Sequence, residues 1–520
     1  MQAICTLSTS AAGVIGLLTW LLSGVATAAV PAPFPVRHGA AVGAVAFSPD
    51  GKRIASGGDD AILRVSDVAS GKEKHTLRGH LGRVASLAFA PDGKVLASGS
   101  RDSTICLWDP ATGKQLHKLE GHERTVMTLA FTPDGRHLAS GSYDGTVRLW
   151  EIATGKEVLK LEAHQDAVSC VGFAPDGKTL ASGGYDRVVR VWSLDTARGS
   201  AKVLQQLPVR HRTEVTGLAF CLGGRYLATS SANGFWLLWD VASGEVAEVL
   251  RPNGGTILTV ASSADSRTLA LGGLGGEVEL YEAATGRLIG MLSAQSGEFD
   301  LMKFSPTTGY PSEVRAVALA AGGFVVAAGA KDGRVHVWDL SKALTRKEAI
   351  PARLEQKDLE KLWGTLGDAD PAVGYRTVAV LASRPEAAIA FLKQRLLPAP
   401  PPDRKRILRF IEDLNDRRFA VREQASAGLA RRIEDAEPLL REALGRKPSL
   451  ELRRRIERLL EPLQQRFPPP DRLRASRALL AVERIGTAEA RAFLERLSRG
   501  SAGAWLTREA KAALARVTRP

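Results

Sequence analysis

The sequence predicts a multidomain chain in which a seven-bladed, all-β propeller is followed by an all-α domain. Three observations support this fold class. A unit of 42 residues recurs through much of residues 33–341, and periods of this length are typical of repeat folds. Within each unit, short runs of alternating apolar residues are separated by turn residues, which predicts four short strands. After Leu340 the apolar spacing changes to every third or fourth residue, which predicts helices.

The repeat is clearest in residues 79–120, which read GHLGRVASLAFAPDGKVLASGSRDSTICLWDPATGKQLHKLE. The Pro91-Asp92-Gly93 turn separates the first two strands, because Pro fixes φ and Gly accepts the positive φ of a tight turn. The position of the tryptophan that ends the third strand recurs seven times, as Ser66, Trp108, Trp150, Trp192, Trp239, Tyr281 and Trp338. The ring is therefore expected to have seven blades.

A histidine, a serine and an aspartate stand at fixed spacings in each regular unit, as His80, Ser98 and Asp102 do in the second. The same three residue types form the triad of serine hydrolases, so a catalytic interpretation has to be weighed. The trio recurs in the third and fourth units, however, and three copies of one catalytic site in a ring are not expected. We therefore predict a structural role.

With its Gly-His start, its aspartate turn and its Trp108-Asp109 end, the unit resembles the WD40 repeat family. The resemblance implies a β-propeller in which each complete blade holds an internal hydrogen-bonded tetrad. The predicted structural tetrads are His80, Ser98, Asp102 and Trp108; His122, Ser140, Asp144 and Trp150; and His164, Ser182, Asp186 and Trp192.

In this family the turn that carries the tetrad aspartate lies on the face of the ring used for binding. The residue before that aspartate is therefore expected to face a partner. The candidate partner-binding residues are Arg101, Tyr143, Tyr185 and Lys331, together with Arg83, which follows His80 by three positions. Tyr and Arg are enriched in interface hot spots, which supports this interpretation.

The seventh unit ends one strand short at Leu340, and residues 33–37 stand directly before His38 of the first unit. We expect residues 33–37 to supply the missing outer strand and close the ring. Two insertions lengthen the repeat, at 195–202 and around 296–311. Insertions in repeats map to loops, and for the shorter one we expect a variable surface loop.

Residues 342–353 are predicted to be a linker and residues 354–520 a helical domain. The segment 366–382 is echoed by 414–430, with Leu366 matching Leu414 and Val373 matching Val421. This pattern resembles HEAT-type helical hairpins. Residues 342–520 contain 38 Lys and Arg against 24 Asp and Glu, so the whole formal excess of +14 lies there.

The first 36 residues contain no charged side chain, and Ala11 to Ala29 form an apolar run that ends in small residues. This predicts a signal peptide at residues 1–28 and a periplasmic or secreted protein. An uncleaved N-terminal membrane anchor is the alternative. That segment is the only membrane contact the sequence suggests.

Metal-binding, phosphate-binding and nucleophile motifs are absent from the sequence. We therefore predict a non-catalytic scaffold for protein–protein interaction that is exported, monomeric by itself, and without a cofactor, a metal or a catalytic residue. One alternative is a cell-envelope protein that binds a polyanion or senses a ligand through the basic domain. Another is an intracellular scaffold associated with nucleic acid, which is disfavoured because the arginines are mixed with acidic residues.

Overall fold

The structure is a computed structural model. It describes residues 36–196, 198–207, 211–250, 256–293, 299–300, 313–320, 322–340, 344, 351, 353–398, 403–431, 433–446, 448–464, 468–501 and 504–518. The predicted signal peptide, residues 1–28, and the first part of the predicted closing strand lie outside these residues. All structural statements below concern the described part of the chain.

Seven antiparallel sheets form the ring. The first strand of each sheet contacts the first strand of the next, and the seventh contacts the first, so the first strands line the centre. Blades one to three are β1 (Val42–Phe47), β2 (Arg53–Gly58), β3 (Ile62–Asp67) and β4 (Glu73–Arg78); β5 (Val84–Phe89), β6 (Leu96–Ser100), β7 (Ile105–Trp108) and β8 (Gln115–Leu119); β9 (Val126–Phe131), β10 (His137–Ser142), β11 (Thr146–Glu151) and β12 (Glu157–Glu162).

The other four blades follow the same strand order with two variations, a fifth strand in blade six and three strands in blade seven. Their strands are β13 (Val168–Phe173), β14 (Thr179–Gly184), β15 (Val189–Asp195) and β16 (Ser200–Leu207); β17 (Val215–Cys221), β18 (Tyr226–Ser231), β19 (Trp236–Asp240) and β20 (Glu245–Leu250); β21 (Ile257–Ser262), β22 (Thr268–Gly273), β23 (Glu277–Glu282), β24 (Arg287–Ser293) and β25 (Phe299–Asp300); β26 (Val314–Leu319), β27 (Val325–Ala330) and β28 (Val335–Asp339).

The antiparallel strands give the ring two distinct faces. Turns between first and second strands and between third and fourth strands lie at one end, which we name the lower face. Turns between second and third strands, and the connections between blades, lie at the other end, the upper face. The shorter insertion, 195–202, was expected to be a surface loop, and this expectation is wrong. The insertion lengthens the hairpin of β15 and β16 in blade four, where Asp195 pairs with Ser200.

Residues 36–38 lie beside the outer strand of the three-stranded seventh blade, as ring closure requires. Arg37 forms an antiparallel bridge with Arg334, and the backbone N–H of His38 donates to the carbonyl of Gly333 at 2.8 Å. Val36 is only 5% exposed and packs in a cluster that contains Val335 and Val45. The start of the described chain therefore joins the first blade to the last.

We expect Val36→Asp to lower the melting temperature of the whole propeller, because an unpaired carboxylate would be buried at the closure. A loss of about 2 kcal/mol or more in the free energy of unfolding is expected. Arg37→Asp, at the exposed neighbouring residue, is the matched control and should change the melt little. Equal melting temperatures for the two variants would contradict the closure.

The described residues beyond the ring form ten helices. They are α1 (Gln356–Leu366), α2 (Pro371–Ala382), α3 (Pro385–Arg395), α4 (Arg404–Asp413), α5 (Phe419–Ala430), α6 (Ile433–Gly445), α7 (Leu450–Gln464), α8 (Pro470–Ile485), α9 (Ala488–Ser498) and α10 (Trp505–Val517). The echoed segments become α2 and α5. The helix before α2 ends at the buried Leu366, and the helix before α5 is followed directly by the buried Leu414.

The helices form two groups rather than one array stacked in chain order. Helices α4 to α7 contact one another and share a separate apolar core around Leu414, Leu429 and Leu440. Helix α8 instead contacts α1, α2, α3, α9 and α10, and its second half is buried on most sides, from Arg477 to Val482. The chain therefore leaves the first group, builds the second, and returns.

Helix α8 and its neighbours pack on the lower face of the ring at blades six and seven. One apolar cluster joins strand residues such as Leu280 and Val326 to helix residues such as Tyr375, Leu479 and Phe493. The propeller and the first helical group consequently share a core. None of the described helices is long and apolar enough to cross a membrane.

Candidate functional site

The predicted tetrad residues of blade two come together at the upper face. The indole Nε1–H of Trp108 donates to Ser98 Oγ at 2.8 Å. Ser98 Oγ lies 2.7 Å from His80 Nε2, and His80 Nδ1 lies 3.0 Å from Asp102 Oδ2. A neutral histidine with its proton on Nδ1 satisfies this network, since Ser98 can then donate to Nε2 and Asp102 can accept from Nδ1–H.

Blades three and four repeat the same geometry. The imidazole-to-carboxylate distances are 2.8 Å for His122 and Asp144 and 2.9 Å for His164 and Asp186. The serines occupy the same place between histidine and tryptophan, with distances of 2.7 to 2.9 Å for Ser140 with His122 and Trp150, and for Ser182 with His164 and Trp192. Each network is enclosed within its blade, and the serine hydroxyl faces an indole rather than solvent.

Burial and hydrogen bonds set the protonation of these groups. Desolvation lowers the pKa of His80, and the neighbouring Asp102 only partly opposes this effect. Desolvation would raise the pKa of Asp102, but hydrogen bonds from Thr104 and from the Leu81 backbone hold it below its usual range. Asp102 is therefore an ionised acceptor at neutral pH, which suits a structural anchor.

Two further blades retain part of the network in a form that sequence reasoning missed. In blade five Thr229 takes the place of the serine, and its Oγ1 lies 2.8 Å from both His211 Nε2 and Trp239 Nε1. In blade one His38 contacts Ser56 and Asp60 at 2.9 and 3.1 Å. The signal was present in both cases, since Ser56 and Thr229 stand at the repeat position of Ser98.

We expect Asp102→Ala to reduce the free energy of unfolding by about 1 to 3 kcal/mol, because it leaves the imidazole N–H of a buried histidine without its acceptor. Glu120→Ala is the matched control, since this acidic side chain belongs to the same blade but is exposed. Chemical denaturation of the full chain measures both variants. If Asp102→Ala costs no more than Glu120→Ala, the tetrad does not stabilise the blade.

His211 differs from His80 in having no carboxylate beside it, because Asn233 stands at the aspartate position. Burial lowers the pKa of His211 to about 4, and its Nδ1 has no hydrogen-bond partner in the described part of the chain. The folded chain thus binds this proton less tightly than the unfolded chain does, whose histidine titrates near 6.5.

This difference predicts acid sensitivity. Neutral His211 contributes fully to the free energy of unfolding above pH 6.5. This contribution is lost as the pH falls towards 4, by about 3 kcal/mol over the whole interval. Asn233→Asp should raise the pKa of His211 and reduce the loss. Melting temperatures of both proteins between pH 7.5 and 4.5 test this, and parallel pH profiles would show that His211 is not responsible.

The candidate partner-binding residues all lie on the upper face, in turns between second and third strands or in the connection before β5. The phenol oxygens of Tyr143 and Tyr185 are 3.3 Å apart, and their rings meet edge to face at a centroid distance of 5.6 Å. Burial raises the pKa of Tyr185 above its usual value. Arg101 is exposed. The structure therefore places an aromatic pair and a cation on adjoining blades.

Lys331 and Arg83 belong to a chain of ion pairs around the upper mouth of the ring. Lys331 pairs with Glu313 at 3.2 Å, and Glu313 also pairs with Arg315. Arg315 and Arg83 both pair with Asp59, at 3.2 and 3.3 Å. Charges of alternating sign thus link blades seven, one and two, which fixes these side chains in place.

Leu81 is an upper-face residue that sequence reasoning missed. Its side chain is 92% exposed, and its backbone N–H donates to Asp102 Oδ2 at 2.8 Å. Most apolar side chains of this size are at least partly covered in a folded protein. The sequence did contain a signal. The residue after the repeat histidine is glycine or a polar residue in the other blades that have this histidine, namely Gly39, Glu123, Gln165 and Arg212.

Arg187 on the same face has a left-handed backbone, with φ at 66°. Four of the seven equivalent turns have glycine there, namely Gly145, Gly234, Gly276 and Gly333. A non-glycine residue costs about 1 kcal/mol in this conformation. Ala61 and Ser103 share this positive φ in blades one and two, so the turn accepts a side chain in three of the seven blades.

The lower face of blade six, in contrast, is covered by a network of ion pairs with the helical domain. The Arg477 guanidinium is 2% exposed and donates to both carboxylate oxygens of Glu282 at 2.8 Å. Its third nitrogen donates to the carbonyls of Leu366 and Asp368 at 3.0 and 2.7 Å. Each of the three guanidinium nitrogens of Arg477 thus donates to at least one oxygen.

A second arginine crosses the interface in the opposite direction. Arg267, in the turn between β21 and β22, donates to Glu483 and Glu509 at 2.9 Å each. Beside it, the Tyr375 hydroxyl lies 2.9 Å from Thr268 Oγ1, and the Tyr375 ring stacks on Phe324 of blade seven. Polar and aromatic contacts therefore fix the position of the helices on the lower face of the propeller.

A cleft of about 1320 Å³ lies between the lower turns of blades five and six and helices α6, α8 and α10. Paired charges line much of it, including the Arg477–Glu282 and Arg441–Glu437 pairs. Among the described residues, no group of three or more His, Cys, Asp or Glu could hold a metal ion. Burial raises the pKa of the thiols of Cys106, Cys170 and Cys221 to about 12.

Comparison with protein families gives one result. The family model of the WD domain, G-beta repeat, matches residues 34–67, 71–109, 113–151, 155–193, 202–240 and 303–339. The unmatched stretch between the last two segments contains blade six, which carries Arg267 and Glu282 of the domain interface. A search of curated proteins gave no match.

Proposed function

We propose that this chain, a WD40-repeat protein, is a non-catalytic scaffold that is exported and binds a protein partner on the upper face of its propeller. WD40 propellers commonly act as protein-interaction scaffolds. The observation that carries the proposal is the asymmetry of the ring. The described helices dock at the lower face, whereas Leu81, Arg101 and the Tyr143–Tyr185 pair remain on the opposite face.

The composition of the upper face suits a protein partner. Leu81 offers an apolar anchor, the tyrosine pair offers rigid aromatic surface, and Arg101 offers a planar hydrogen-bond donor. These groups project from turns of neighbouring blades that are held by the tetrads, so little conformational entropy remains to be lost on binding. Such a surface is already organised before the partner arrives.

Export is the second part of the proposal, and it rests on the apolar run from Ala11 to Ala29. Sequencing the N-terminus of the protein made in its own cells tests it directly. A mature chain beginning at or just after Ala28, recovered from the envelope or the medium, supports export. A full-length chain confined to the cell interior would overturn it.

We expect a photo-cross-linking residue at position 81 to capture one partner of defined mass in the native cells. The matched control places the same residue at Leu397, which is 63% exposed and belongs to the helical domain. With the partner identified, Tyr185→Ala should weaken binding at least tenfold, as loss of a hot-spot aromatic does. Equal labelling from positions 81 and 397 would contradict an upper-face site.

A further inference from the structure

We propose that the outer edge of blade four, strand β16, is a second docking site that takes an extended acidic and apolar segment of a partner protein as an added strand. The strand is the last in the sheet order β13-β14-β15-β16, so no described strand covers its outer edge. Unpaired N–H and C=O groups at such an edge are ready to pair with another chain.

Strand β16 combines a long edge with little charge. Its eight residues, SAKVLQQL, make it the longest outer strand among the residues that the structure describes, and Lys202 is its only charged residue. Val203 and Leu204 are 43% and 57% exposed. By comparison, β12 at the same place in blade three carries three charges in six residues. Charges and short length are the devices that keep edges from pairing.

The insertion at 195–202 creates this long edge. It extends the hairpin of β15 and β16 beyond Trp192, through the pairs of Ser193 with Lys202, Leu194 with Ala201, and Asp195 with Ser200. In blade two the corresponding pairing ends at the tryptophan, with Trp108 opposite Gln115. The insertion thus adds regular strand with a free edge.

Blade six shows that an outer strand of this ring can accept a fifth strand. Its outer strand β24 pairs with β25, with Met291 opposite Asp300 and Leu292 opposite Phe299. Strand β24 contains the same one-residue bulge as β16, at the step from Leu280 to Tyr281 in its partner strand. The pairs with β25 lie at Met291 and Leu292, after the bulged Ile289, so the edge beyond the bulge remains able to pair.

A flexible segment fits this edge better than a second copy of the chain does. A stable interface between two folded proteins buries about 1,000 Å² or more, and eight residues on a convex rim provide much less. An extended segment can instead cover Val203 and Leu204 while pairing with the backbone. Lys202 forms no ion pair within the described part of the chain, so an acidic residue in the segment would complement it.

This site is separate from the upper face, because β16 lies on the outer rim of the ring. The test selects peptides from a displayed library of random ten-residue sequences against the full chain. We expect enriched peptides to alternate apolar and acidic residues, and to protect backbone amides of β16 from hydrogen exchange. Methylating the backbone nitrogens on one edge of such a peptide should abolish binding, and on the other edge should not.

Val203→Glu should weaken binding of the enriched peptides at least tenfold, because it removes an apolar contact and repels their acidic residues, and Leu204→Glu provides a second variant at the same edge. Val249→Glu is the matched control, because Val249 is 59% exposed on the outer strand of blade five. The proposal is overturned if no peptide is enriched, if the protected amides lie elsewhere, or if the Val203 and Val249 variants bind alike. Each of these results leaves the upper-face proposal standing.

Discussion

The buried ion pair between Arg477 and Glu282 is the interaction on which the arrangement of this chain depends. Both side chains are almost fully enclosed, at 2% and 4% exposure, and two parallel hydrogen bonds join them. Removing either partner of such a pair leaves a buried charge without compensation, which costs about 3 to 5 kcal/mol. Because Arg477 also donates to the carbonyls of Leu366, the last residue of α1, and Asp368, just after it, one side chain links α8, the α1–α2 turn and blade six.

This docking divides the propeller into a structural face and an open face. Helices cover the lower turns of blades six and seven, where Phe324 and Thr268 contact Tyr375. The tetrads stiffen the turns at the other end, so Arg101 and Leu81 project from a rigid base. A scaffold needs this combination, since an ordered surface loses little entropy when a partner binds.

Repetition made the ring and the tetrads of blades two to four predictable, because each residue type recurred at a fixed spacing. The echo of 366–382 in 414–430 likewise corresponded to helices, α2 and α5. The interface was not predictable in this way. Arg477 is one of many arginines in amphipathic helices, and nothing in its spacing marks it as buried. Blade six does depart from the repeat, since it lacks the histidine, aspartate and tryptophan, but Arg267 and Glu282 are no signal in themselves. Residues of the same charge stand at these positions in most other blades, as Lys94 and Asp109 do in blade two.

A double-mutant cycle on Arg477→Met and Glu282→Gln, measured by chemical denaturation of the full chain, tests the central role of the ion pair most directly. Each single variant should lose about 3 to 5 kcal/mol, and the double variant should lose clearly less than the sum of the two. The signals of the propeller and of the helices that share its core, α1–α3 and α8–α10, should also be lost in one transition of the wild-type chain. If the loss in the double variant equals the sum of the two single losses to within about 0.5 kcal/mol, the two side chains are not coupled and the account is contradicted. Separate unfolding transitions for these parts of the wild-type chain would contradict it as well.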